Sequence, residues 1–243
     1  MAAGILTLAQ IRTAAQQRAD MVNSTFVTSA EWTSYINQAL SFMYDEMVSA
    51  YGEDYFSASP VSITMDGTSQ SYALPNGTLY SSAPAFYKLL GVDLAVNTST
   101  SSWVTLKPFT FSARNKRNQQ NMNLVKGYTN IRYRVNGNNL LFDVIPAGGQ
   151  TIRIWYVPRM TELSGESDTA DGINGWLELA ILHAAITAMI KEESDVTALM
   201  LQKQEMLQRL RSMAPNRDVG MPATVSDTQN LEYDDPTYGG GSF

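Results

Sequence analysis

Apolar residues in the first fifty positions recur at helical spacing. Leu8, Ile11, Ala15 and Val22 follow at separations of three, four and seven, and Trp32, Ile36, Leu40, Met43, Met47 and Tyr51 fall on one stripe. Each stripe starts at a capping box, Thr7-Leu8-Ala9-Gln10 and Thr28-Ser29-Ala30-Glu31, in which a threonine oxygen and the residue three positions later satisfy each other's backbone donors. Gly52 offers a stop, because glycine takes the left-handed conformation that ends helices. The pattern predicts a helix near 8 and a long amphipathic helix over 29–51.

The period then changes. VSITM (61–65), QSYAL (70–74), FYKLLGVDL (86–94) and SWVTLKPF (102–109) are short β-branched or aromatic runs separated by Gly, Pro, Ser and Asn. Next come NIRYRV, NGNN, LLFDVI, PAGGQ and TIRIWYV. Ile131, Tyr133 and Val135 alternate with Arg132 and Arg134, which predicts a half-buried strand with one charged face. Asn136-Gly137 is expected to supply the positive-φ residues of a tight hairpin, and Ile152, Ile154 and Tyr156 to continue the sheet.

After Pro158 helical spacing returns. Trp176, Leu177, Ala180, Ile181, Ala184, Ile186 and Ile190 make a helix apolar around most of its circumference, with Asp171 or Asn174 expected near its cap. Leu199, Met206, Leu210 and Met213 stripe a more polar helix, and Glu192, Glu193, Ser194 and Asp195 break the two into an αα-hairpin. From Ala214 onward no period remains. These observations give an α+β fold class: a helical bundle of N- and C-terminal helices (1–56 and 158–213), interrupted by an antiparallel β sandwich or barrel-like insert (57–157) and followed by an extended tail (214–243). The chain leaves the insert at 158–171 so that the later helices can pack with the earlier ones.

Charge sharpens this picture. Residues 1–60 carry two cations and six acids, residues 61–160 carry ten and three, and residues 161–243 carry five and fourteen. A basic middle lies between acidic ends, so a fold that joins the ends has two electrostatic poles. No window approaches the ~20 apolar residues of a membrane span, so no membrane partner is expected. The opening MAAGILTLAQ lacks a basic, then apolar, secretory signal. Without one, the glycosylation triplets at Asn23, Asn76 and Asn97 are expected to stay idle.

Candidate chemistry is sparse. With one histidine and no cysteine, thiolate metal sites and Cys–His nucleophiles are excluded. His183 lies on the apolar helix with no partner acid at useful spacing, and is read as a satisfied helix histidine. The pairs Asp45-Glu46, Glu53-Asp54, Glu192-Glu193 and Asp234-Asp235 are adjacent, so on a helix they diverge. Hydrolysis would instead need a pair such as Asp93 and Asp143 to converge in a pocket. The glycines show no phosphate-loop or dinucleotide pattern. No catalytic residue, cofactor or metal is expected. The remaining constellation is basic: Lys107, Arg114, Lys116, Arg117, Lys126, Arg132 and Arg134, with no acid among them up to 134. It suits an acidic protein neighbour or, as the alternative, nucleic acid.

LTLAQIRTAAQQRADM, STFVTSAEWTSYINQALSFMYDEMVSAYGEDYF and IRIWYVPRMTEL…DGINGWLELAILHAAITAMIKEE resemble, in order and pattern, the head-to-tail adaptor (connector) proteins of tailed bacteriophages. The resemblance covers about 5–51 and 152–213. It implies a structural virion protein, not an enzyme, with a helical domain that forms a homo-oligomeric ring of twelve copies beneath the portal protein. Such a ring, assembled in the host cytoplasm and sited in the neck, passes double-stranded DNA through its lumen and offers a platform to a tail nozzle or other tail protein. The tail residues Met221, Val225, Leu231, Tyr233, Tyr238 and Phe243 are then expected to meet the portal. Arg114, Lys116 and Arg117 are expected to meet a neighbour or tail component.

Overall fold

The computed structural model describes residues 5–96, 102–114, 131–173 and 175–213. Strand β1 (Ile5–Thr7) runs into helix α1 (Leu8–Arg18), and Thr7 and Gln10 close the expected capping box with bonds of 2.9 and 3.2 Å. Val22 does not extend this stripe. The helix ends at Arg18, Asp20 turns at φ 56°, and Val22 is left 51% exposed. Helix α2 (Ser29–Tyr51) matches its prediction: Thr28 and Glu31 form the box, Trp32, Ile36, Leu40, Met43 and Met47 are buried, and Gly52 stops it at φ 92°. A 3₁₀ turn (Asp54–Phe56) leads into the β region.

The β region is two four-stranded sheets with no closed barrel among the described residues. One holds β2 (Val61–Thr64), β9 (Thr151–Pro158), β4 (Phe86–Ala95) and β5 (Trp103–Thr105) in that order. The other holds β3 (Ser71–Ala73), β8 (Asn139–Phe142), β7 (Arg132–Asn136) and β6 (Lys107–Pro108). Between β3 and β4 lies a single helical turn, α3 (Leu79–Ser82), whose Tyr80 and Ser81 are left-handed. Val92, Leu94, Leu140, Phe142, Ile152, Ile154 and Tyr156 fill the space between the sheets, as alternation along each strand dictates.

Three expectations here are corrected. SWVTLKPF is not one strand: it breaks at Leu106, whose buried side chain and N–H bond to the Val92 carbonyl (2.8 Å) hold the crossing from one sheet to the other. The resulting β6 lies parallel to β7, although every other pair is antiparallel. The hairpin loop is Gly137–Asn138, because Asn136 pairs with Asn139; Gly137 takes φ 58° and Asn136 stays in the strand.

After Pro158 the connector is itself built in. Asn37 on α2 exchanges two 2.9 Å bonds with the backbone of Leu163, and β10 (Thr169–Asp171) pairs with β1. Helix α4 (Leu177–Lys191) follows, then α5 (Thr197–Met213). Asp171 does not cap α4: it accepts from the Ile173 N–H at 2.9 Å, and no side chain caps the helix at Trp176. Asn174 lies outside the described residues. Gly172 is required by contact here, since a Cβ would come within 2.5 Å of the Leu177 backbone nitrogen.

Ala180, Ala184 and Ala188 line one ridge of α4 at i, i+4 spacing and are all buried, which lets neighbouring helices approach closely. Helix α4 runs antiparallel to α2. Trp176 at its start donates to Tyr51 at the end of α2, while Lys191 at its end pairs with Glu31 at the start of α2. Ile190 and Met213, placed on the apolar stripes above, are exposed at 53% and 58%. The C-terminal half of α2 and the turn after it meet the sandwich: Tyr44 donates to the Pro158 carbonyl (2.8 Å), Asp45 accepts from Tyr87 (2.8 Å) and, beyond Gly52, Glu53 pairs with Lys88.

Candidate interaction surface

The basic constellation is partly assembled by the second sheet. Tyr133 of β7 points into the core at 9% exposure, so its neighbours Arg132 and Arg134 point outward. The parallel pairing sets Lys107 beside Arg132. Phe109 then turns inward, tied by its N–H to the Tyr133 carbonyl (3.0 Å), and the chain enters a 3₁₀ turn (Phe111–Ala113). That turn leaves Phe111 47% exposed, with the Arg114 guanidinium 4.3 Å and the Arg134 guanidinium 5.6 Å from its ring centre. Both distances suit cation–π attraction. Lys107, Arg114, Arg132 and Arg134 thus share one outward face around one exposed aromatic ring.

Elsewhere most cations are matched; among the described residues Lys203 and Arg209 have no ion pair and lie over the Phe42 and Trp176 rings, at 4.4 and 5.7 Å. Arg12–Glu166 (2.7 Å), Lys191–Glu31 (2.7 Å), Arg211–Glu46 (2.9 Å), Arg153–Asp93 (3.1 Å), Arg159–Glu162 (3.1 Å), Arg18–Glu178 and Lys88–Glu53 are all ion pairs. Among the described residues no carboxylate pairs with Lys107, Arg114, Arg132 or Arg134. Asp143 accepts the Arg132 backbone N–H at 2.9 Å and donates its own N–H to the Arg132 carbonyl at 3.0 Å. Lys116, Arg117 and Lys126, and the tail residues Met221, Val225, Leu231, Tyr233, Tyr238 and Phe243, lie outside the described residues. Phe111 was missed by the charge count. The signal available for it was FTFSAR, an aromatic three positions before Arg114.

The carboxylate candidates go to separate duties. Asp93, 8% exposed on the outer face of the first sheet, accepts from Trp155 Nε1 (2.7 Å), Thr105 Oγ1 (2.9 Å) and Arg153 (3.1 Å). Burial works to raise its pKa, but these bonds together hold it below the ordinary carboxylate value. Asp143 binds the backbone of β7, so each carboxylate has its own partners, on a different sheet. Among the described residues no group of three or more His, Asp or Glu is placed to hold a metal ion.

His183 is not fully satisfied as expected: its Nδ1 is buried without a protein partner. The ring packs edge-on against Phe42 at 4.7 Å, and Lys203 lies over that same phenylalanine at 4.4 Å. Burial first, and then the Lys203 charge, lower the imidazole pKa. It is a packing group of the bundle. A groove of about 260 Å³ lies where α2 meets the connector, lined by Leu40, Met43, Tyr44, Met160 and Leu163 among others.

The molecule is thus a helical bundle that carries a β sandwich, with a cationic face that no described carboxylate pairs. The SU10 adaptor protein family model matches residues 6–226, nearly the whole chain and both of its parts. The chain belongs to the SU10 adaptor protein family. It is therefore a structural adaptor of bacteriophage, a virion component that contacts other head or tail proteins. No curated protein matches it.

Proposed function

We propose that this adaptor forms a ring, of twelve copies as the head-to-tail adaptors do, joining the portal of the phage head to the tail in the neck and lining the channel through which DNA passes. The observation that carries the reading is the single family match running through the bundle and the insert together. The bundle (1–56 with 158–213) acts as the ring-forming unit, and the insert (57–157) presents contacts to a tail component. Exposed Val22, Phe26, Ile190, Met200 and Leu201 on or near helix ends supply apolar surface for a neighbouring subunit. A ring built from identical copies needs two unlike patches that meet in every copy. The tail from Met221 to Phe243 is assigned to the portal.

The test is negative-stain microscopy with mass measurement, on the purified chain alone and with a portal complex. Rings alone, or rings formed only on the portal, support the reading; a chain that stays monomeric with the portal present overturns it. A second reading, nucleic-acid binding, draws on the Arg114–Phe111–Arg134 stack, since a ring between cations is a platform for bases. It requires a salt-dependent DNA mobility shift that disappears in the Arg114→Ala, Arg132→Ala, Arg134→Ala variant.

A further inference from the structure

Away from the β6–β7 face, seven of the nine described cations are held in ion pairs, and the other two, Lys203 and Arg209, lie over aromatic rings of the bundle. The four on the β6–β7 face are left for something else. From geometry and charge we infer that their occupant is the chain's own acidic segment 231–238, LEYDDPTY. This segment holds Glu232, Asp234 and Asp235 and no cation, and the whole stretch 214–243 sets Arg217 against Asp218, Asp227 and these three.

The path is short enough. Helix α5 ends at Met213, and Arg211 in its last turn pairs with Glu46 on the half of α2 that abuts the sandwich, so α5 ends on the insert's side. The eighteen residues between Met213 and Glu232 span up to about 60 Å when extended. The sheets to be passed lie only about 10 Å apart.

The chemistry also fits. Arg132 and Arg134 project from one face of β7 about 7 Å apart. In an extended segment Glu232 and Asp234 project to one side at the same spacing, each carboxylate meeting one guanidinium in a charge-assisted pair. Tyr238 falls on that side as well, where the exposed Phe111 ring offers an apolar contact. Tethering raises the effective concentration of this ligand above that of any free acidic protein. A free polyanion, by contrast, must approach a chain of net charge −6. The contact concerns the chain before it meets a partner, and stands or falls separately from the ring-and-portal reading.

The experiment is zero-length carbodiimide coupling of the full-length chain, with cross-links mapped by mass spectrometry. Lys107 supplies the amine on this face. The expected product joins Lys107 to Glu232, Asp234 or Asp235. It should drop about tenfold in 1 M salt, where screening acts within about 3 Å, and equally in the Arg132→Ala, Arg134→Ala variant. Coupling of Lys107 only to bundle carboxylates, or tail coupling unchanged in that variant, overturns the inference. A heparin column gives an independent reading. Neutralising the tail with Glu232→Gln, Asp234→Asn and Asp235→Asn uncovers the face, so retention should shift to higher salt, and adding Arg132→Ala and Arg134→Ala should cancel the shift. Retention that the tail substitutions leave unchanged, or a shift that persists without the two arginines, also overturns it.

Discussion

The two outward faces of the β sandwich are built from similar residues and behave oppositely. On the β4–β5–β9 face, Arg153 lies 4.2 Å from the Trp103 ring and 4.9 Å from Trp155, and its charge is met by Asp93. On the β6–β7 face, Arg114 and Arg134 flank Phe111 in the same cation–π manner, but no described carboxylate answers them. One face has closed its charges into a network that pins three strands together. The other leaves its charges without a carboxylate among the described residues. Ring–guanidinium stacking is thus common to both faces, and the acid is what differs between them among the described residues.

The comparison breaks most severely if the core between the faces is disturbed. Leu140 and Ile154 are fully buried between the sheets. Leu140→Ala or Ile154→Ala should cost about 2–5 kcal/mol, measured by urea unfolding, because each leaves a cavity that the sheets cannot collapse. A loss under 1 kcal/mol would mean that the sandwich is not packed as described. Next in size is Asp93→Ala, which leaves Arg153, Trp155 Nε1 and Thr105 without their shared acceptor. The expected cost is about 2 kcal/mol, with Trp155 fluorescence shifting as its indole bond is lost. An unchanged unfolding midpoint would show that this face is not held by its acid.

The bundle offers a smaller version of the paired case. Thr28→Ala removes the cap of α2 and should cost about 1 kcal/mol in the same unfolding measurement. Glu31 adds a pH signature. Its bond to Lys191, followed by its bonds from Thr28, lowers its pKa from 4.5 to about 2 in the folded chain. A depressed carboxylate stabilises the fold above its unfolded pKa, so this contribution should be intact above about pH 4.5 and fade as pH falls toward 2. The slope of stability against pH in that window should flatten in Glu31→Gln. An identical slope in the variant would place the acid sensitivity elsewhere.

How much of this was legible beforehand follows from the range of the forces involved. Both capping boxes and the α2 stripe are local, set by residues three to four apart, and Thr7, Thr28 and Trp32 behave as their spacing predicts. The break at Leu106 was not readable, because it depends on a bond to Val92 across the sheet. For the same reason SWVTLKPF looked like one strand. Nor did the count of seven cations reveal that Phe111 would stand between two of them, since Arg134 arrives from a different strand. Asp93 and Asp143 looked interchangeable in sequence. Only the sheet order gives one of them an arginine and two further donors, and the other a backbone N–H.

The smallest expected effect on stability is the one that separates the two faces most cleanly. Replacing Lys107, Arg132 and Arg134 together by alanine removes three like charges that have no described acid partner. Stability should move by no more than about 0.5 kcal/mol per site. The contrast with Asp93→Ala then decides the matter on one sandwich with one assay. If the triple variant unfolds with the parent while losing its binding partners, the charge on this face serves recognition. If it loses 2 kcal/mol or more, the face is held by contacts within the fold, and the distinction between the two surfaces fails.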